Sequence, residues 1–190
     1  MGGSNGFWHS EPMTNSRRLR QLVVALTFVG GALAGQAGIK SERMLAAIIE
    51  HTPAPRLVTE GEQLQFAEKS AAQLPDAQAL LGVGSSMEPL YASNTAVVVQ
   101  SIKYDDLKKG MTVVYIKKNG RRVAHSIVGE THGGFLVQGV NNDDEDAELV
   151  TEKNFVGVIV QAFASADTAF RAQIEQRVAQ KGKVRNGNRA

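Results

Sequence analysis

Two textures of apolar and polar positions divide this chain. Between residues 41 and 75 apolar side chains recur at helical spacing, whereas from about residue 80 to 163 they fall in short β-branched runs broken by turn residues. Ser41 is a plausible N-cap, with Glu42 in the first turn, and predicts a helix through about His51. Met44, Leu45, Ile48 and Ile49 supply its apolar face, and Thr52-Pro53-Ala54-Pro55 ends it. A second helix is predicted from about Glu60 to Leu74, stopped by Pro75.

The second texture predicts strands. Ala96-Val97-Val98-Val99 reads as a buried strand, and Asp105 to Gly110 as a polar connection. Met111 to Lys117 is rich in β-formers, Thr112 to Ile116 above all. Asn119-Gly120 is the strongest hairpin signal in the chain and joins that strand to Arg121–Val128. Gly133-Gly134 turns the chain into Phe135-Leu136-Val137-Gln138, an acidic loop spans Asn141 to Glu148, and Phe155 to Phe163 is a last strand. Five or six short strands with tight turns predict a mainly β fold: a small, mostly antiparallel barrel or coiled sheet. The expected organisation is a disordered tail over 1–21, an apolar segment over 22–39, a helical linker over 40–79, the β domain over 80–164, and a C-terminal helix with a basic tail over 165–190.

The apolar segment adds a compartment signal. Arg17, Arg18 and Arg20 precede Leu22 to Gly35, an uncharged and mostly apolar run. As a helix that run reaches roughly 21 Å, and extended to Ile39 roughly 27 Å, against a hydrocarbon core of about 30 Å. Two membrane readings fit: a retained single-pass anchor, or a secretory signal cleaved near Ala32-Leu33-Ala34. Either keeps the arginines inside and sends the β domain to the extracytoplasmic side, as a membrane-held or a secreted domain. A buried core helix is the bland alternative.

Composition narrows the chemistry. The 190 residues carry a formal net charge of +2, too small to argue for nucleic acid, and there is no cysteine. Disulfides, thiolate zinc sites and a cysteine nucleophile are thereby excluded.

Candidate chemistry centres on Gly84-Ser85-Ser86-Met87-Glu88-Pro89. Glycine on one side and proline on the other hold Ser86 on a constrained turn, with Met87 placed to anchor it in the core. Most exposed serines only cap or solvate a turn, so Ser86 needs a partner. His125, in Val123-Ala124-His125-Ser126-Ile127-Val128, shares a strand face with Val123 and Ile127. That desolvated setting favours a neutral, proton-accepting imidazole of the kind a serine nucleophile requires. The run Asn142-Asp143-Asp144-Glu145-Asp146 is either a solvated turn or the source of a carboxylate that orients His125. Spacing alone does not choose among its four acids, and it lacks the spacing of a calcium-binding loop.

Together these residues resemble type I signal peptidases. The resemblance covers roughly residues 82–160: the Gly84–Pro89 turn, Lys109-Gly110-Met111-Thr112-Val113-Val114, the His125 strand, then Gly139-Val140-Asn141-Asn142 and an acid, in the family's order and spacing. It is nearer the Ser-His branch, because a lysine replaces His125 in the Ser-Lys branch. The resemblance implies a membrane-associated serine endopeptidase with Ser86 as nucleophile, His125 as base and Asp146 as the orienting acid. It implies no metal or organic cofactor, an extended preprotein substrate with small residues at the cleavage site, and a lipid surface as the other partner. Val140 stands where the family often has aspartate, Ser126 where it commonly has arginine, and Gly84 where many members have a serine that helps the oxyanion hole. The hole then rests on backbone N–H groups, chiefly that of Ser86, with Ser85 as a rearranged donor. LexA-type self-cleaving proteins and conjugation-type processing peptidases share the fold but use lysine. An inactive exported binding module is the non-enzymatic reading.

Overall fold

A computed structural model of the chain describes residues 25–28, 39 and 41–166. Among the described residues eight strands form one sheet: β1 (Ala25–Phe28), β2 (Arg56–Val58), β3 (Ala77–Gly84), β4 (Ala96–Gln100), β5 (Thr112–Ile116), β6 (Arg122–Thr131), β7 (Gly134–Gln138) and β8 (Phe155–Ser165). Among the described residues two full α-helices accompany them, α1 (Glu42–His51) and α2 (Gln63–Ala71). The molecule is mainly β, and β3 to β8 pair with one another only in antiparallel fashion.

The sheet runs β1-β3-β4-β8-β5-β6-β7, and β1 also touches β6. That second contact links β3, β4, β8, β5, β6 and β1 into a ring. The long strand β8 sits at its centre, between β4 and β5, with β2 along its far end. The hairpin at Asn119-Gly120 pairs β5 with β6 and sets Val113 opposite His125. Its turn is closed by Lys117 N–H donating to Arg121 O at 2.9 Å and Gly120 N–H to Lys117 O at 2.8 Å.

Several elements depart from the sequence reading. Ser41 does cap α1, accepting from the Met44 N–H, and Met44 and Ile48 are buried. Ile49, expected on the apolar face, is 71% exposed. Helix α2 starts later than expected, because Gly61 has φ +86° and interrupts the helix before Glu62, and it ends sooner, at Ala71. Residues 40–79 are more than a helical linker: Met44 and Ile48 share one core cluster with Leu80, Met87 and Tyr91, and β2 joins the sheet. The main β region begins at Ala77 rather than 80, and Ser165 closes β8 rather than opening a helix. Of the apolar segment 22–39, Ala25–Phe28 form a strand where the membrane reading has helix. Its remainder apart from Ile39, the 1–21 tail and residues 167–190 lie outside the described residues. Among the described residues no helix is long and apolar enough to cross a membrane.

Candidate active site

Strand β3 delivers the serine. It ends at Gly84, whose φ of +107° lies where a side chain is strained. Glycine at this position therefore serves the backbone. Beyond it the chain turns, with Glu88 N–H donating to Ser85 O at 3.0 Å and Tyr91 N–H to Met87 O at 2.9 Å. Met87 is fully buried and pins the turn to the core. The loop after β7 clamps the turn from the other side. Asn141 N–H donates to Ser86 O at 2.8 Å, and Asn141 Nδ2 donates to Ser85 O at 3.2 Å. This contact needs Gly139, because a Cβ there would stand 2.7 Å from Ser86 O.

Strand β6 delivers the histidine. Val123, His125 and Ile127 alternate onto one face, and all three are buried. His125 Nε2 lies 3.1 Å from Ser86 Oγ, and His125 Nδ1 lies 2.7 Å from Asp146 Oδ2. With Nδ1–H donating to the carboxylate, Nε2 presents its lone pair to the serine hydroxyl. This is the connectivity of a nucleophile, a base and an orienting acid. Both Ser86 and His125 are 0% exposed.

Of the four acids in the loop, Asp146 is the one that meets His125. Its backbone N–H donates to Val137 O at 2.8 Å, tying the loop to β7. Asp143, Asp144 and Glu145 are exposed. Burial works against the Asp146 charge, but the hydrogen bond and charge of His125, the Tyr115 hydroxyl and the Lys117 ammonium outweigh it and hold the carboxyl below its ordinary range. Lys117 Nζ lies 3.5 Å from Oδ2, and the Tyr115 hydroxyl donates to the same oxygen. Burial, then the Asp146 hydrogen bond and charge, push the Tyr115 phenol far up, so it remains a donor.

Tyr115 and Lys117 escape the sequence reading, where Tyr115 counts only as a β-former. Alternation held the signal: Val113, Tyr115 and Lys117 share one side of β5 and its extension, and Val113 is the cross-strand partner of His125. Asn141 and Gly139 belong to the family-like motif, but their grip on the Ser86 turn emerges only in three dimensions. Ser126, in place of the family's arginine, is buried and bonded to Thr112 Oγ1 at 2.9 Å, which in turn meets Thr52 Oγ1 at 2.9 Å. Val140, in place of the family's aspartate, is buried in the core cluster of Met87 and Tyr91. Ser85 contributes its carbonyl to the turn. Among the described residues no cluster of acidic, histidine or cysteine side chains is placed to hold a metal ion. No protein-family model matches the chain, and neither curated proteins nor solved structures gave a match.

Proposed function

We propose that the protein is a serine endopeptidase of signal-peptidase type, acting by a Ser-His-Asp mechanism on extended preprotein segments at a membrane surface. The observation that carries this reading is the continuous relay from Ser86 Oγ through His125 to Asp146 Oδ2, with contacts of 3.1 and 2.7 Å. In the mechanism His125 Nε2 takes the Ser86 proton as Oγ attacks the scissile carbonyl carbon. The Ser86 backbone N–H, with a donor from the Ser85 side of the turn, stabilises the oxyanion. His125 then gives its proton to the leaving amine, and the acyl-enzyme ester remains on Ser86. Water, deprotonated by the same histidine, hydrolyses that ester. Asp146 fixes the imidazole tautomer and balances the imidazolium charge. Membrane association rests on Arg17, Arg18 and Arg20 beside the apolar run that follows them.

The test is a preprotein-processing assay in membranes. Wild type is expected to release the mature protein, with Ser86→Ala and His125→Ala each slower by about a thousandfold or more. Unchanged processing by both variants would remove the dyad from the mechanism. Failure of wild type on every preprotein supplied would favour the inactive binding module.

A further inference from the structure

Strand β1 lies between the two strands that carry the dyad. It pairs in parallel with β3, in the register Ala25↔Leu81, Leu26↔Gly82, Thr27↔Val83 and Phe28↔Gly84. It also meets β6 in parallel at Thr27↔Val123. Phe28 is therefore level with the residue two before Ser86, and Thr27 with the residue two before His125. The direction of β1 leads toward the dyad along both neighbours.

Without β1, the facing sides of β3 and β6 are open sheet edges. Open edges accept an extended peptide through main-chain hydrogen bonds. A peptide bound there would run into Ser86 and His125. Those two side chains are 0% exposed, so the site is shut in this arrangement of the chain. We propose that β1 is a cis occupant of the peptide-binding slot, a segment of the chain's own N-terminal region that a substrate must displace. The proposal rests on reading the cleft between β3 and β6 as the place of the extended substrate. A tethered segment competes at an effective concentration on the order of millimolar, so it outcompetes free peptides of modest affinity. The measured affinity for an outside peptide is then lowered by the fraction of chains whose slot is empty. The apolar run cannot occupy the cleft and a bilayer at once, so membrane insertion and self-occupancy exclude each other.

The test measures binding rather than cleavage, using the full chain carrying Ser86→Ala. The probe is a fluorescein-labelled synthetic peptide of residues 22–31 with two added lysines, read by anisotropy. Leu26→Pro and Thr27→Pro each remove one N–H from β1. Adjacent residues face opposite neighbours, so the pair loosens β1 from β3 and from β6. Each variant is expected to bind the probe about tenfold tighter or more, as follows if β1 fills the slot in nine chains of ten. Equal or weaker binding by both variants, with circular dichroism unchanged, would overturn the proposal, as would failure of every form to bind. If a proline variant does not fold, hydrogen exchange of the Ser86→Ala chain decides. Excess unlabelled probe is expected to strip protection from the amides of residues 25–28, and probe binding that leaves this protection intact would overturn the proposal. Catalysis enters neither measurement. A chain that binds the probe as expected yet cleaves nothing would refute the peptidase reading and leave self-occupancy standing.

Discussion

Asp146 Oδ2 accepts from His125 and Tyr115 and pairs with the Lys117 ammonium, so its charge is fixed in place as well as balanced. Asp146→Asn keeps the shape but offers His125 an amide that can impose the wrong tautomer. It is expected to lower kcat by about a thousandfold or more. Asp143→Asn, on an exposed side chain of the same loop, is expected to leave kcat within about twofold. Steady-state kinetics on one peptide substrate checks both, and the reverse order would reassign the acid. Tyr115→Phe removes one donor and leaves a buried carboxylate less satisfied. An intermediate loss of about tenfold is expected, in kcat rather than KM. These side chains differ in how readable they are. Ser86 and His125 announce themselves through a constrained turn and a polar residue in an apolar strand. Asp146 is one acid among four until its backbone is seen bonded to Val137. Tyr115 is hidden because an aromatic in a strand is ordinary, and only the third dimension shows where its hydroxyl ends.

At the scale of elements, the strongest local signals are met with strands. The β-branched runs of β4, β5 and β8 and the Asn119-Gly120 turn specify their own conformation. Strand β3 is harder to read, because Ala77-Gln78-Ala79-Leu80 has weak β propensity and gains its strand from pairing with β4. Strand β2 has three residues and exists through its contact with β8, which no local pattern encodes. A close approach that bears on the site is at Gly139, where the loop after β7 lies on the Ser86 turn. Gly139→Ala would press a methyl onto Ser86 O, currently 2.7 Å from the Cβ position. The backbone must shift, at a cost of about 1–3 kcal/mol. A lowered urea midpoint with a slower reaction of Ser86 with a fluorophosphonate is expected. Unchanged values for both would show that the clamp is slack.

For the whole molecule, pH links the site to stability. Asp146 ionises more readily folded than unfolded, where its ordinary value is 3.8. Its contribution is therefore full above that value and fades as pH falls through the lower folded one. The buried phenols of Tyr91 and Tyr115 are shifted the other way, from an ordinary value of 10.0. Their contribution is full below that value and is lost as pH rises past it, because the unfolded chain ionises first. Urea midpoints are expected to fall at both ends. Asp146→Asn should flatten the acid limb and Tyr91→Phe the alkaline limb, and parallel curves for variant and wild type would contradict this linkage.

The central place of β8 has a consequence for the life of the chain on the ribosome. His125 and Asp146 lie on neighbouring stretches that a local hairpin and β7 bring together. Ser86 belongs to the β3–β4 pair, and in the sheet order β8 joins that pair to the strands bearing the other two. Among the described residues Phe155–Ser165 is also the last strand to be synthesised. Long-range pairing of this kind forms after local pairing. A nascent chain ending before residue 155 thus lacks the strand between β4 and β5, and only β1 and the Asn141 contacts join its serine strand to its histidine strand. The Ser86–His125–Asp146 arrangement gains its full support only when Phe155–Ser165 has been made, so under the proposed peptidase reading a product truncated before residue 155 is expected to be a weak enzyme.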